Sequence, residues 1–516
     1  MRRARTLTGR QLSTLAGLAL LAGGLVLLAT RDGVSVSGDS SVYVGVAHSV
    51  ADGHGLNVPI HYYPLGNVSI GTPPAGSSSP LPTPLVVYAP LEPVLLAVGN
   101  HPIGAARVED TIFLALTVLV VGLFVLVVTG ELWLAAVAQL IVAFSLAGID
   151  AVNGVSTETT ALFFTVVALV AIIRQRVRGG TLWLVVGSLA IGAATVEWFA
   201  AGGLIVWGVL ALRHRWRQAL ALLVMSSMPL VVWIVYEQVS GRSTGHALGF
   251  HIVKTTVRAG IHSVAWWILP TNSPTSVVVL GAIVIAVLVV LVLRRRPGAV
   301  PSLLILFAVV QIVVLEVAIT FFDAGVNLEP RQLIPVFVAV VLAVACGVDR
   351  TRLMKVLSVV LVVGCVVRFG LDNAANPTSD YTTARWAHSP IMADIRALPN
   401  NAIIYSDVPD VIYLLDHRAT SSVPETVDFS TLKTNTRFHA QIEEIRHTLL
   451  TRGGYVAYVR GLGRDSFLPT EASLRSLLSL QLVRNTSDGA IYRIAGEPAT
   501  DGRYGVASSN SARAAS

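Results

Sequence analysis

The sequence predicts a polytopic α-helical membrane protein with a small α/β domain at its C-terminal end. Of its 516 residues, 53% are hydrophobic and only 13% are charged, whereas soluble domains carry about 25% charged residues. Apolar runs long enough, or nearly so, to cross a bilayer as helices recur up to residue 371. Beyond that point the apolar runs are short and acidic residues are frequent. These observations exclude a soluble enzyme.

Continuous apolar runs predict about eleven membrane spans, which together form a transmembrane domain over residues 1–371. The first run is longer than the apolar core of a signal peptide, so we interpret it as a membrane anchor. The runs lie near residues 11–30, 104–128, 132–149, 157–173, 181–196, 198–212, 218–237, 275–293, 301–322, 332–348 and 354–370. The loop between the first two spans, residues 31–103, is the longest.

Basic residues indicate the orientation of the chain. They cluster at residues 2–10, 174–178, 213–217, 294–296 and 350–355. If the N-terminus is cytoplasmic, all five clusters face the cytoplasm, as the positive-inside rule requires, and an odd number of spans places the C-terminal domain outside. The formal charge of +7 therefore reports topology, and we expect no nucleic-acid partner.

The preference for arginine over lysine indicates the kind of organism from which the sequence comes. Only three of the 37 basic residues are lysine, and this preference for arginine, with abundant alanine, valine and glycine, is typical of bacteria with GC-rich genomes. We therefore expect the chain in a bacterial inner membrane, in contact with membrane lipids.

Acidic residues of the membrane region lie mostly at its predicted outer face, and ionisable groups near a membrane tend to mark function. Asp39 is the first candidate. It comes just before a predicted amphipathic helix at the membrane surface, on which Tyr43, Val46, Ala47 and Val50 share one face. Asp39 is interpreted either as the N-cap of this helix or as a catalytic general base.

A second outer loop is short and is flanked by Asp150 and Glu158. In one interpretation Ser156 caps the next span and Glu158 interacts with the helix dipole. In the other, the two acids hold a cation or orient a hydroxyl group. Histidine spacing matches no zinc signature, and Cys346 and Cys365 lie within apolar runs, so no metal site is predicted. The sequence requires no cofactor, and a divalent cation remains an open alternative.

Basic residues in two outer segments are candidates for binding a phosphate group. The segment 238–274 carries no acid but contains Lys254, Arg258 and His262. The alternative is interfacial anchoring, for which the neighbouring tryptophan pair is suited. Arg331 lies where a late span begins, and an arginine at that depth needs a partner, for which phosphate and Glu329 are the candidates.

The chain after residue 371 predicts a small extracytoplasmic α/β domain over residues 372–496, followed by a disordered tail at 497–516. Strands are predicted near 402–406 and 455–460, with a hairpin around Asp488-Gly489. Helices are predicted near 385–397, 437–451 and 470–480. No phosphate-cradling glycine-rich loop is present, which disfavours an enzyme with a cytosolic nucleotide-sugar donor.

The order of these motifs resembles the GT-C superfamily of membrane glycosyltransferases. The resemblance is strongest to the branch similar to protein mannosyltransferases, lipid A aminoarabinose transferases and bacterial envelope mannosyl- and arabinosyltransferases. It rests on Gly38-Asp39-Ser40 with Tyr43, the Tyr88-Ala-Pro-Leu-Glu-Pro-Val-Leu-Leu-Ala97 run, Arg107, Glu158 and Arg331-Gln-Leu-Ile-Pro335.

This resemblance implies transfer of a sugar, with mannose or arabinose as examples, from a polyprenyl-phosphate donor to an envelope glycan, glycolipid or protein. It implies that Asp39 is the general base of an inverting reaction. Glu158, with Asp150, would position the acceptor or an ion, and Tyr43 would assist. Arg331 would bind the donor phosphate, with Lys254, Arg258 and His262 as further candidates listed from their chemistry alone.

Two positions depart from the family pattern, and two other functions remain as alternatives. Gln332 stands where the family usually has tyrosine, and Glu197 stands where lysine is frequent. A transporter or flippase of lipid-linked sugars is one alternative, although Glu316 is the main mid-span charge and no internal repeat is evident. A non-catalytic envelope protein that binds glycolipid is the other.

Overall fold

The computed structural model is mostly helical. It describes residues 7–60, 83–85, 88–99, 101–149, 152–239, 254–267, 298–322, 328–347, 351–375, 381–428, 432–460 and 467–495, with isolated positions between 250 and 290. The chain divides into two compact units. The first comprises Met1–Val58, Pro82–Thr383 and Phe429–Leu432, and the second comprises Pro59–Leu81, Ala384–Asp428 and Lys433–Ser516.

Helices dominate the first unit. They are α1 (Gly9–Ala29), α2 (Gly38–Ala51), α3 (Leu91–Leu96), α4 (Pro102–Thr129), α5 (Leu132–Leu146), α6 (Glu158–Arg178), α7 (Thr181–Glu197), α8 (Gly203–Leu212), α9 (Trp216–Val239), α10 (Lys254–Trp266), α11 (Ala299–Phe321), α12 (Ile334–Gly347) and α13 (Arg352–Ala375). A short antiparallel pair, β1 (Asn57–Val58) and β2 (Thr83–Pro84), accompanies them.

Six of the described helices are long and apolar enough to cross a membrane, namely α1, α4, α6, α9, α11 and α13. Four shorter apolar helices, α5, α7, α8 and α12, also coincide with predicted runs. Most of the predicted span 275–293 lies outside the described residues. A multi-pass helical architecture is thus confirmed, and the count of eleven spans stays a prediction.

Buried polar side chains hold the first helices together. Gln139 of α5 is fully buried, and its amide donates to the carbonyl oxygens of Leu15 at 3.1 Å and Val118 at 3.0 Å. Arg107 of α4 donates through Nε to Thr30 Oγ1 at 2.9 Å. These bonds link α4 and α5 to α1, which matters in an apolar environment because an unpaired polar group there is costly.

The helix after the first span differs from the prediction in two ways. It is capped by Ser37, whose side chain forms a reciprocal capping box with Ser40, so Asp39 lies inside the first turn and the N-cap interpretation of Asp39 is wrong. From Ser40 to Ala47 every residue is buried. The helix is therefore packed on all sides over this stretch, and the expected amphipathic surface helix is also wrong.

The second unit contains a five-stranded sheet with the order β4-β3-β7-β9-β8. Its strands are β3 (Ile404–Ser406), β4 (Ser421–Ser422), β7 (Tyr455–Val459), β8 (Leu480–Asn485) and β9 (Gly489–Ile494), and a separate pair joins β5 (Val427–Asp428) to β6 (Lys433–Thr434). Strand β3 is parallel to β4 and β7, whereas β9 is antiparallel to β7 and β8.

Five helices accompany this sheet, namely α14 (Ala384–Ala387), α15 (Pro390–Arg396), α16 (Pro409–Asp416), α17 (Phe438–Arg452) and α18 (Glu471–Leu478). Strands and helices thus occur where the sequence predicts them. The boundary at residue 372 and the separate status of this α/β domain stay predictions. The predicted disordered tail, 497–516, lies outside the described residues.

Candidate active site

Arg331 brings three acidic side chains together at one point of the first unit. Its Nη1 lies 3.7 Å from Oδ2 of Asp39 and 3.8 Å from Oε1 of Glu158. Its Nε lies 3.2 Å from Oε2 of Glu329. The three residues predicted from sequence to act as base, positioning acid and phosphate ligand, Asp39, Glu158 and Arg331, are therefore neighbours.

Backbone and side-chain contacts fix the two catalytic candidates beside each other. Asp39 lies in the first turn of α2, and Glu158 is the first residue of α6. The hydroxyl of Ser40 donates to the carbonyl of Val155 at 2.7 Å, and the amide of Val155 donates to the carbonyl of Ser35 at 3.0 Å. These bonds hold the start of α2 against the segment that leads into α6. Both carboxylates lie at helix N-termini, where the helix dipole favours negative charge.

Solvent exposure distinguishes the two carboxylates. The side chain of Asp39 is 51% exposed, whereas that of Glu158 is 12% exposed. The Asp39 carboxylate is therefore accessible from solvent, whereas the Glu158 carboxylate is mostly shielded. This difference agrees with a reacting role for the first and a positioning role for the second.

Electrostatics at Arg331 favour its charged form. Burial lowers the pKa of Arg331, but the carboxylates of Glu158, Asp39 and Glu329 outweigh burial, so that its pKa is raised. Three carboxylates thus lie within ion-pair distance of one guanidinium. Its position in the turn before α12 places this charge beside the start of an apolar helix.

Two tyrosines line the same site. Tyr88 donates through its hydroxyl to Oδ1 of Asp39 at 3.2 Å. The rings of Tyr88 and Tyr43 meet edge to face, with centroids 5.6 Å apart. Burial, reinforced by the charges of Asp39 and Glu197, raises the pKa of Tyr43 well above its usual value, so its phenol stays neutral. Sequence reasoning proposed Tyr43 and noted the Tyr88 segment, but assigned Tyr88 no role.

A cluster of buried carboxyl groups lies next to these residues. The carboxyl group of Glu92 contacts those of Glu109 and Glu197, and the hydroxyl of Thr160 donates to Glu109. Glu92 and Glu197 are almost completely buried, as is nearby Asp110. We call Glu92, Glu109 and Glu197 the carboxyl cluster. The sequence placed all three at the outer interface but gave no sign that they meet.

The carboxyl cluster is consistent with shared protons. Burial and the neighbouring acids raise the pKa of Glu92 well above its usual value, which favours its neutral form, whose single O–H can donate to the carboxylate of Glu109. Among the residues that the structure describes, no group of three or more histidine, cysteine or acidic side chains has an arrangement that could hold a metal ion.

Other predicted site residues are only partly covered. Asp150 lies outside the described residues. Lys254 and Arg258 belong to helix α10, and their side chains also lie outside the description. His262 is half-buried, and its ring meets that of Trp266 edge to face with centroids 6.5 Å apart. A phosphate-binding role for these three residues stays a prediction.

Comparison with solved structures places this site in a known fold. The crystal structure of ArnT from Cupriavidus metallidurans in the apo state has a TM-score of 0.56 at 13% sequence identity, covering 92% of this chain and 96% of that chain. The structure of ArnT bound to undecaprenyl phosphate has a TM-score of 0.55 at 13% identity, covering 93% and 98%. This chain has the fold of ArnT.

The resemblance predicted from the sequence is thus confirmed at the level of the fold. No protein-family model and no curated protein matches the chain.

Proposed function

We propose that this protein is an inverting glycosyltransferase that moves a sugar from a polyprenyl-phosphate donor to an envelope acceptor. The observation that carries the proposal is the grouping of Asp39, Glu158 and Arg331 within 4 Å contacts. A base beside a cation is the arrangement that displacement of a phosphate leaving group needs. The ArnT-like fold supports the same reaction class, and the neighbour bound to undecaprenyl phosphate supports this class of donor.

Asp39 acts as the general base in this proposal. As the acceptor hydroxyl attacks the anomeric carbon, its proton passes to the Asp39 carboxylate and a new carbon–oxygen bond forms. The bond between the anomeric carbon and the phosphate oxygen breaks, and polyprenyl phosphate leaves with the bonding electron pair. Attack from the face opposite the leaving group inverts the anomeric centre. Tyr88 holds the Asp39 carboxylate through its hydrogen bond.

Arg331 stabilises the phosphate in this proposal. Its guanidinium can offer paired donors to phosphate oxygens, and its positive charge offsets the charge that grows on the leaving group. The guanidinium also pairs with the carboxylates of Asp39, Glu158 and Glu329. A donor phosphate competes with these carboxylates, so donor binding loosens the Arg331–Asp39 pair and releases the base for the acceptor.

The finer assignments belong to the same proposal. Mannose or arabinose is the sugar, and a glycan, glycolipid or protein is the acceptor. The protein lies in the bacterial inner membrane with a cytoplasmic N-terminus. The site and the C-terminal unit then face the outer side, where lipid-linked sugars are used as donors. The six long apolar helices support the multi-pass arrangement.

Transfer by the purified protein tests the proposal. The full chain is incubated with undecaprenyl-phosphate-linked mannose or arabinose, labelled in the sugar, and with an envelope fraction from the source cells. Label is expected to move into the envelope fraction without nucleotide sugar or a membrane gradient, which also separates a transferase from a flippase. Asp39→Asn is expected to lower the rate at least 100-fold, within the about 10²–10⁴-fold range of general-base catalysis.

Asp32→Asn is the matched control, because Asp32 is an exposed acid of the same loop that pairs with Arg31 at 3.1 Å. It is expected to transfer sugar at the wild-type rate. Equal rates for the Asp39 variant and the wild type would reject Asp39 as the base, and no transfer from either donor by the wild type would reject the proposed reaction.

A further inference from the structure

A polar cavity of about 630 Å³ lies within the second unit, and none of its lining residues belongs to the proposed transferase site. Its volume falls in the about 300–1,000 Å³ range of small-molecule sites in proteins. The cavity lies where α15 and α16 end and where β3 and β4 begin. The polar side chains that line it belong to Arg396, Asn400, Asn401, Asp416, His417, Arg418 and Ser421.

Both arginines in this cavity already donate hydrogen bonds to protein groups. Arg396 donates through Nε to Oδ1 of Asp416 at 2.5 Å. Arg418 donates to the carbonyl oxygens of Ile395 at 2.8 Å and Leu398 at 3.1 Å, and also contacts the carbonyl of Pro399. The guanidinium of Arg418 therefore serves the carbonyl groups at the end of α15. Donors of both guanidinium groups are thus already engaged by the protein.

One buried acceptor in the cavity has no partner. The side chain of Asp416 is only 7% exposed, and its Oδ2 makes no hydrogen bond among the described residues. A buried carboxylate oxygen without a partner loses its hydration and gains no hydrogen bond in return, which is unfavourable. A ligand that donates a hydrogen bond to this oxygen would remove the penalty, so the orphaned atom points to a ligand with donors.

The remaining polar groups of the cavity both donate and accept. Asn400 and Asn401 are exposed side-chain amides, each with two donors and an acceptor. His417 follows the last residue of α16 in a left-handed conformation, with φ of 51°. Ser421 adds a hydroxyl group. Such a mixture matches a ligand whose groups also donate and accept, which is the property of sugar hydroxyls.

We infer that this cavity binds a neutral saccharide, with Oδ2 of Asp416 accepting from a sugar hydroxyl and the two asparagine amides bonding to further hydroxyls. A ligand with hydrogen-bond donors is favoured over an anion because the unpartnered side-chain atom among the described cavity residues, Oδ2 of Asp416, is an acceptor. A metal ion is disfavoured because a single carboxylate oxygen is available. The inference does not depend on the proposed transfer reaction, since the cavity would bind a saccharide whether or not the chain transfers one.

Binding of neutral sugars to the full chain in detergent tests this inference. The probes are α-mannotriose and arabinotriose, with inorganic phosphate as the anionic probe, and binding is followed by calorimetric titration. We expect at least one trisaccharide to bind in preference to phosphate. Asp416→Asn is expected to weaken that binding about 10-fold, which corresponds to about 1.4 kcal/mol, the lower end for a hydrogen bond to a charged group.

A second variant guards against misfolding of the first. The double change Asn400→Ala with Asn401→Ala alters exposed side chains and is expected to weaken binding while the melting temperature is unchanged. Gln481→Ala, an exposed change on β8, is the control that should bind normally. Asp39→Asn should also bind normally, which separates this cavity from the transferase site. Preferential binding of phosphate, absence of trisaccharide binding, or full binding by the double variant would overturn the inference.

Discussion

The Nη1 atom of Arg331 lies 3.7 Å from Oδ2 of Asp39, although 291 positions separate the two residues in the chain. The same Nη1 lies 3.8 Å from Glu158, so one guanidinium connects the start of α2, the start of α6 and the turn before α12. In the proposed reaction this atom exchanges a carboxylate partner for the donor phosphate. The proposal therefore predicts two arrangements of Arg331, one paired with carboxylates and one bound to the donor phosphate.

Replacing Arg331 is expected to remove most of the transfer rate. Arg331→Gln should lower kcat/KM for the lipid-linked donor about 100- to 1,000-fold, the usual effect of losing one group that stabilises a developing negative charge. Arg331→Lys should retain more activity than Arg331→Gln because lysine keeps the positive charge. It should still be less active than the wild type because lysine lacks the planar guanidinium that binds phosphate in a bidentate manner. Initial rates measured against donor concentration with the purified protein check both values.

Arg31→Gln is the control for this pair. Arg31 is an exposed arginine that pairs with Asp32 in the same unit, and its loss should leave the kinetics unchanged. Equal donor kinetics in Arg331→Gln and wild type would show that the phosphate is bound elsewhere, for which Lys254 and Arg258 are the next candidates.

Tyr88→Phe is expected to lower kcat while leaving the site folded. The change keeps the ring that meets Tyr43 at 5.6 Å but removes the hydroxyl that donates to Asp39 at 3.2 Å. A hydrogen bond to a charged group is worth about 1.5–3 kcal/mol when buried, and Asp39 is half exposed, so we expect a loss of about 10-fold or less. Steady-state rates and melting temperature are measured together. Tyr88→Ala, which also loses the ring, should melt at a lower temperature than the wild type. An unchanged kcat in Tyr88→Phe would show that the Tyr88 hydroxyl does not assist Asp39.

The helical architecture could be predicted from sequence because its signal is local. Each long helix carries an uninterrupted apolar run, and α4 also begins with Pro102 at its first position and ends before Gly130, whose φ of 75° suits a helix C-terminus. The first-turn position of Asp39 could not be predicted, because serine and aspartate are both good caps and the true cap, Ser37, lies only two residues earlier.

The candidate site residues also divide into those with a local sequence signal and those that only the tertiary structure brings together. Asp39, Glu158 and Arg331 could be proposed because each is a charged residue at the start of a predicted helix near the outer membrane face, where ionisable groups tend to mark function. The contacts among Glu92, Glu109 and Glu197 depend on how α3, α4 and α7 pack. No periodicity or spacing within a single segment encodes that packing, so the carboxyl cluster emerges only from the tertiary structure.

Protonation of Glu92 predicts how stability changes with pH. Burial raises the pKa of Glu92 above its usual value, so the folded chain keeps this proton at pH values where the unfolded chain, with a pKa of about 4.3, has released it. Because the folded state then binds more protons, this group contributes stability that declines as pH rises above about 4.3. The folded protein is therefore more stable when Glu92 is protonated.

Glu92→Gln tests whether protonation of Glu92 stabilises the folded protein. Glutamine keeps a donor for the neighbouring carboxylates but cannot lose a proton, so the variant should melt at a higher temperature than wild type at pH 8, with the difference shrinking towards pH 5. Melting curves of the full chain in detergent across this range give the comparison. Asp32→Asn, which changes an exposed acid, should track the wild type at every pH. A Glu92→Gln curve parallel to the wild-type curve would contradict the prediction.

Close packing of α4 against α5 predicts a strong difference between two glycine substitutions. A Cβ atom at Gly122 would lie 2.4 Å from Cδ of Gln139, and Gln139 cannot move away cheaply because its amide donates to Leu15 and Val118. Gly122→Ala should therefore destabilise the protein by about 1–3 kcal/mol. Gly24 of α1 has nothing within 4 Å of an added Cβ, so Gly24→Ala should be neutral or slightly stabilising, by up to about 1 kcal/mol. The melting temperatures of the two purified variants are compared with that of the wild type. Equal melting of both variants would show that Gln139 does not hold the two helices together in the way its hydrogen bonds indicate.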